Sequence, residues 1–276
     1  MPKLEVTLPA ALDEALRHEA ERTGRSASTI VMEALSRHLD VTVHTLFQVS
    51  TSGALVAGVF DGEVSVGSIL DHGDFGLGTF ADLDGEMVVL DGQVYQVKGD
   101  RTVVVAERSA RAPFAVVTRF AATSECMIGP LPDLAALEQL CDEHRTSGNI
   151  FYAIRLDGEF DTIRTRAVNP PKPGTRLVDA AKSQSEFSFE TIAGTLVGLW
   201  SPGFSSAFSV AGYHFHFLSD DKQHGGHLLA LSAQSLRLRV EALTEFHLAL
   251  PESATFLKAD LSKNTAEELA YAEQAH

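Results

Sequence analysis

The chain has 276 residues, enough for two domains and a sizeable core. Its formal net charge of −15 excludes a general nucleic-acid or anionic-membrane surface, since both need clustered Lys and Arg. No apolar run approaches the length that spans a bilayer. Met1-Pro2-Lys3-Leu4-Glu5 lacks the apolar block of a secretory signal, and two cysteines, Cys126 and Cys141, suit a reducing cytoplasm. Neither cysteine receives a role.

At the N-terminus, residues 3–8 alternate polar and apolar, as a short half-buried strand should. Pro9 then sits where a helix can begin, with Leu12, Ala15, Leu16 and Ala20 on one face and Gly24 as its stop. Ser26 or Ser28 caps a second helix whose stripe is Ile30, Val31, Ala34, Leu35 and Leu39. This strand–helix–Gly–helix order resembles a ribbon–helix–helix module over residues 3–40. The resemblance implies that two chains pair their strands, so dimerisation is built in, and that Lys3, Glu5 and Thr7 would face a DNA major groove. Glu5 fits that groove poorly, because phosphates repel a carboxylate that meets no cytosine amino group. Residues 1–40 hold five Lys/Arg against seven Asp/Glu. The acidic balance favours dimerisation over DNA binding.

From residue 41 the pattern shifts to short strands between Gly and Asp turns. Residues 43–49 and 54–59 read as strands, 64–70 as a short helix or strand, and 86–97 as a hairpin turning at Asp91-Gly92. Residues 102–107 and 114–121 extend the sheet. A helix over 131–144 buries Leu134, Leu137, Leu140 and Cys141. Residues 150–166 read as a second hairpin, turning at Asp157-Gly158. The Pro170-Pro171-Lys172-Pro173-Gly174 stretch is a loop and a seam within the body. Strands follow over 195–200, 208–218, 227–234 and 236–243, and no internal repeat is present.

The most informative stretch is Gly212-Tyr213-His214-Phe215-His216-Phe217, followed by Gly225-Gly226-His227. Residues i and i+2 of a strand share a face, so His214 and His216 converge. The Gly-Gly pair permits a sharp turn and close backbone approach, which returns His227 beside them. Three neutral imidazoles suit zinc, and three protein ligands leave the fourth position of a catalytic site open. His224 is the rival third ligand, although the spacing favours His227. Without the third histidine, the pair would read as two half-buried strand residues.

Many blocks in one order now carry a second resemblance. They include Leu46-Phe47-Gln48-Val49-Ser50-Thr51, His72-Gly73-Asp74-Phe75-Gly76-Leu77-Gly78-Thr79-Phe80, Leu83-Asp84-Gly85-Glu86 and Asp91-Gly92-Gln93-Val94-Tyr95-Gln96. Phe151-Tyr152-Ala153-Ile154-Arg155, Thr165-Arg166, Gly194-Thr195-Leu196-Val197-Gly198 and the histidine segment follow. Over residues 44–275 the chain resembles the acetolactate decarboxylase family. That family converts 2-acetolactate to acetoin and carbon dioxide, in acetoin and butanediol formation from pyruvate, using zinc held by three histidines. The resemblance implies His214, His216 and His227 as ligands of Zn2+, active-site positions at Glu86, Arg166 and Thr79, and a glutamate near the C-terminus, for which Glu273 is the candidate. The implied fold is α/β: a two-part mixed β-sheet body over 42–276, seamed near 168–176, and a small ribbon–helix–helix module over 1–41. A homodimer or higher homo-oligomer fits both parts.

The chemistry is consistent with that set. Acetolactate carries hydroxyl, ketone and carboxylate groups that zinc can chelate and polarise as a Lewis acid. Arg166, which keeps its proton, suits the carboxylate and the enediolate left by decarboxylation. Glu86 or Glu273 suits proton donation, Glu86 alternatively touching the metal or orienting a ligand, and Thr79 offers a hydroxyl. Taken alone, Glu86 is an ordinary turn carboxylate and Arg166 an ordinary strand-end arginine. His72 and Asp74 read as structural, and Phe151, Tyr152, Phe215 and Phe217 as core. Two other readings compete with the enzyme: a metabolite-sensing DNA-binding regulator with a decarboxylase-like body, and a zinc hydrolase.

Overall fold

The polypeptide changes character at His44, where a helical unit (Met1–Val43) gives way to a β-rich one (His44–His276). The computed structural model describes residues 5–23, 26–39, 44–172, 174–263, 265, 268 and 269.

The first unit holds helices α1 (Ala10–Thr23) and α2 (Ala27–Leu39). Pro9 opens α1, its carbonyl accepting from the amides of Leu12 at 2.9 Å and Asp13 at 3.0 Å. Asp13 and Arg17, one turn apart, pair at 3.0 Å. Residues 5–8 form no strand, and residues 3 and 4 lie outside the described set. The physical reason is plain: one chain offers a lone strand no partner for its N–H and C=O groups. The apolar stripes also stay in the open, with Leu12, Leu35 and Leu39 exposed by 55%, 47% and 64%.

In the second unit the strands are β1 (Thr45–Val49), β2 (Val64–Ser65), β3 (Phe75–Thr79), β4 (Glu86–Leu90) and β5 (Gln93–Val97). Then come β6 (Val103–Val105), β7 (Arg111–Ala112), β8 (Phe114–Thr118), β9 (Ser124–Ile128) and β10 (Phe151–Ala167). The last are β11 (Ser185–Ser201), β12 (Gly212–Ser219), β13 (Gly225–Ser232), β14 (Leu236–Leu243) and β15 (Glu245–Ala249). Helices α3 (Ser52–Val56), α4 (Val66–His72), α5 (Leu134–His144), α6 (Leu177–Ala181) and α7 (Ala254–Lys258) connect them.

One sheet has seven strands in the order β15-β1-β8-β3-β4-β5-β6, with only β1–β15 parallel among the pairs given. The other has six, β11-β12-β13-β10-β14-β9, and an added β11–β10 pairing brings the first four back upon themselves. Phe160 and Phe217 meet edge-to-face at 5.4 Å inside that curl, both fully buried. Each such ring contributes about 2 kcal/mol through the apolar surface it removes from water.

Several expectations hold locally. Asp91 and Gly92 both take positive φ, 51° and 78°, and join β4 to β5 in the expected hairpin. Helix α5 begins at Leu134, capped by the Asp133 carboxylate on the Ala136 amide at 2.8 Å, and buries Leu137 and Cys141. In this second unit two expectations fail. Residues 52–56 form helix α3 rather than a strand over 54–59, because the Thr51 hydroxyl accepts from the Ala54 amide at 3.1 Å and nucleates a turn. Asp157-Gly158 is not a turn: β10 runs unbroken for 17 residues. The Asp157 carboxylate is held by Arg155 at 3.0 Å, Thr195 at 3.0 Å and Arg239 at 2.6 Å. Burial alone would raise the Asp157 pKa, but the arginines outweigh it and hold it below the ordinary value. Residues 168–172 and 174–176 lie between β10 and α6 and take no helix or strand. No helix among the described residues is long and apolar enough to cross a membrane.

Candidate active site

The site forms where the two sheets face each other. On the seven-stranded sheet, Thr79 ends β3 and Glu86 begins β4, directly opposite each other in the register. On the six-stranded sheet, one lateral row places Arg166 of β10 beside His227 of β13, and His227 beside His216 of β12. His214 lies two residues before His216 and shares its face. A register shift between Arg164 and Thr165 re-aims the end of β10, as bulges near functional sites do. Gly226 has φ +129°, and a Cβ there would overlap the Arg166 carbonyl oxygen. The Gly-Gly pair therefore lies within β13 and serves close strand approach. The reversal itself comes earlier, where Ser219 N donates to His224 O at 2.9 Å and Lys222 takes φ 59°.

The three imidazoles converge. His214 Nε2 lies 3.2 Å from His216 Nε2 and 3.1 Å from His227 Nδ1. Two zinc–nitrogen bonds of about 2.0–2.1 Å at a tetrahedral angle separate their nitrogens by about 3.3 Å, so the triad has the spacing of a metal cage. His216 Nδ1 donates to the Met87 carbonyl at 2.8 Å, which turns the Nε2 lone pair toward the other rings. Burial, with the positive charge of Arg166 adding to it, pushes His214 down to about 3 and keeps it neutral, the state that binds a metal. These donors fit a divalent transition metal. They are the one such group of His, Cys, Asp and Glu among the described residues. His224 is elsewhere, tilted against Phe189 at 4.7 Å.

Around the triad is a cleft lined by Thr79, Glu86, Arg166 and the three histidines, with apolar walls from Leu55, Phe114, Leu177 and Ala181. Glu86 is 6% exposed; its Oε1 accepts from the Val168 amide at 3.2 Å, and its Oε2 lies 3.6 Å from His216 Nε2. Arg166 is 4% exposed and donates through Nη1 to Gln184 Oε1 at 2.7 Å. The Thr79 hydroxyl donates to the Gly85 carbonyl at 2.8 Å, so what it offers a ligand is lone pairs. A buried cation, a buried carboxylate and three lone-pair donors thus meet in one apolar cleft, an arrangement that binds and polarises a small oxyanion.

Glu273 lies outside the described residues. Leu269, four positions earlier, is buried in the same core as the cleft residues Leu55 and Leu177. His72 and Asp74 are structural: the first stacks on Phe47 at 3.7 Å, and the second accepts from the Phe120 amide at 2.9 Å. Phe151, Tyr152, Phe215 and Phe217 are core residues. Sequence reasoning missed Gln184, the Met87 carbonyl and the Val168 amide. The last two are backbone groups, which leave no trace in residue identity.

Comparison with known proteins identifies the family. Residues 46–263 match the family model described as alpha-acetolactate decarboxylase. The alpha-acetolactate decarboxylase of Methylococcus capsulatus is 42% identical over 232 residues, covering 83% of this chain and 89% of that protein. The Methanosarcina mazei enzyme of the same name is 40% identical, covering 81% and 78%. The crystal structure of the Bacillus subtilis enzyme superposes with a TM-score of 0.81 at 33% identity, covering 84% of this chain and all of that one. These likenesses favour an enzyme over the regulator reading.

Proposed function

The chain belongs to the alpha-acetolactate decarboxylase family, and on that premise we propose that its three-histidine site holds zinc and converts 2-acetolactate to acetoin and carbon dioxide. The observation that carries this reading is the row of His216, His227 and Arg166 across three neighbouring strands, facing Glu86 from the opposite sheet. Zinc bound there would supply Lewis-acid polarisation of the substrate ketone.

The protein's own side chains do the rest. Arg166, buried and always charged, pairs with the substrate carboxylate and then with the negative charge left on the enediolate. Thr79, its proton committed to Gly85, accepts a hydrogen bond from the substrate hydroxyl and sets its orientation. Glu86, anchored by the Val168 amide, presents its second oxygen toward the reacting atoms as proton donor to the carbanionic carbon or as the group that orients His216. Glu273 is the other candidate donor. The apolar walls exclude water, which strengthens each of these charges and protects the intermediate. This chemistry places the protein in acetoin formation, and the cysteine usage suits the cytoplasm.

Zinc-loaded protein given racemic 2-acetolactate should release acetoin and carbon dioxide in equal amounts. Fully metallated protein that releases neither contradicts the reading.

For the N-terminal unit, a ribbon–helix–helix-like dimerisation role is supported by exposed Leu12, Leu35 and Leu39, which a second copy would cover. Leu12→Asp with Leu35→Asp should lower the molar mass in light scattering by one assembly step while turnover per metal stays unchanged. An unchanged mass contradicts that role.

A further inference from the structure

We propose that Thr165 is a positioning residue for His227: its buried hydroxyl pins β13 in the bulged register that turns this imidazole into the cleft. The inference rests on the reading of the three histidines as zinc ligands.

The side on which His227 emerges is set by one extra residue. Along β10 and β13 the pairing runs Ile163–Leu231 and Arg164–Ala230, then slips to Thr165–Leu228 and Arg166–His227, which leaves Leu229 without an opposite residue on β10. Such a slip inverts the alternation of faces. Leu228 and Leu231, an odd number of positions apart, both enter the apolar core that holds Phe160 and Phe217. In an unbroken strand His227 would share the face of Leu231 and point into that core. Instead it lines the cleft.

A bulge interrupts the backbone ladder, so the bulged register needs a hold that the regular one does not offer. Thr165 stands at the first pair beyond the slip, fully buried, and its Oγ1 donates to the Gly225 carbonyl at 2.8 Å. That bond runs diagonally across the Arg166–His227 pair. The segment carrying the imidazole is therefore fixed to β10 at both ends, by the Leu228 pairing and by Gly225. Gly225 is itself closely placed: a Cβ there would come 2.7 Å from the Phe217 carbonyl oxygen and 2.9 Å from Val97 Cγ2 of the facing sheet. Sliding β13 by one residue would carry the Gly225 carbonyl about 3.4 Å along the strand and part it from a hydroxyl that water does not reach. A threonine inside a strand is ordinary, so no local pattern marks this one.

The test is a Co2+ titration of metal-free, full-length protein carrying Thr165→Val, Thr165→Ser or His227→Ala, read by the visible absorption of the bound ion. Thr165→Val keeps the shape and removes the hydroxyl. It should weaken Co2+ binding by about 10-fold or more, the scale of losing an outer partner of a metal ligand, and change the band intensities that report coordination geometry. Thr165→Ser keeps the hydroxyl and should restore the wild-type affinity and spectrum. Thr165→Ala, which adds no apolar branch, carries the same expectation as Thr165→Val and stands in for it if that variant does not fold. If the variants without the hydroxyl lower only the Tm of metal-free protein and bind Co2+ as wild type does, while His227→Ala does not, the inference is overturned and the ligand reading stands. Equal losses in Thr165→Ser and Thr165→Val also overturn it, because packing rather than the hydroxyl would then be responsible. If His227→Ala binds Co2+ with wild-type affinity and spectrum, the ligand reading falls and takes the inference with it.

Discussion

His216→Ala is expected to lose bound zinc and turnover together. His216 is the central ring of the lateral row, 1% exposed, with its tautomer set by the Met87 carbonyl. Two imidazoles do not define a metal geometry, and alanine leaves a gap where the third donor stood. Removing a single oxyanion-stabilising donor costs an enzyme about 10²–10³ in kcat, so losing the metal should cost on the order of 10³-fold or more, or at least about 4 kcal/mol of transition-state stabilisation. Metal analysis and acetoin release on the same preparation check this. A variant that keeps one zinc per chain and full activity would remove His216 from the ligand set. His224→Ala, away from the triad, should keep both.

The second large effect concerns Arg166→Ala. Truncating one partner of a buried charge pair costs about 2–5 kcal/mol, which predicts a fall in kcat/KM of about 30-fold or more. The loss should appear in kcat as well as KM, because the charge on the reacting fragment persists after carbon dioxide leaves. Arg166→Lys should recover only part of it, since a point-like ammonium lacks the planar fork that bonds Gln184 and substrate at once. Zinc content should stay near wild type in both variants. Steady-state kinetics with metal analysis decides the matter, and an Arg166→Ala enzyme with an unchanged kcat/KM would exclude the assigned role.

The three-histidine group was legible in the sequence because strand geometry has a period of two. His214 and His216 had to share a face, and a third histidine behind two glycines had a short route back to them. Glu86 and Arg166 were legible only through resemblance. They come from different sheets, and no local pattern records that β4 packs against β12 and β13. The strand that carries Arg166 was misread as a hairpin, because Asp157-Gly158 has the composition of a turn. What overrides that composition is a long-range fact, the arginines and threonine gathered on Asp157 from β10, β11 and β14. Residues 54–59 erred the same way: their β-like apolar run yields to the Thr51 cap two positions before Gly53. At the N-terminus the alternating pattern forms no strand over residues 5–8, where a single copy offers no neighbouring edge to pair with.

The most direct test of the account is a zinc titration of metal-free protein, with acetoin formation from 2-acetolactate as the readout. Activity should start near zero, rise linearly, and break at one zinc per chain, the stoichiometry of a single His214–His216–His227 site. Full activity before any zinc is added, or none after the site is filled, would contradict it.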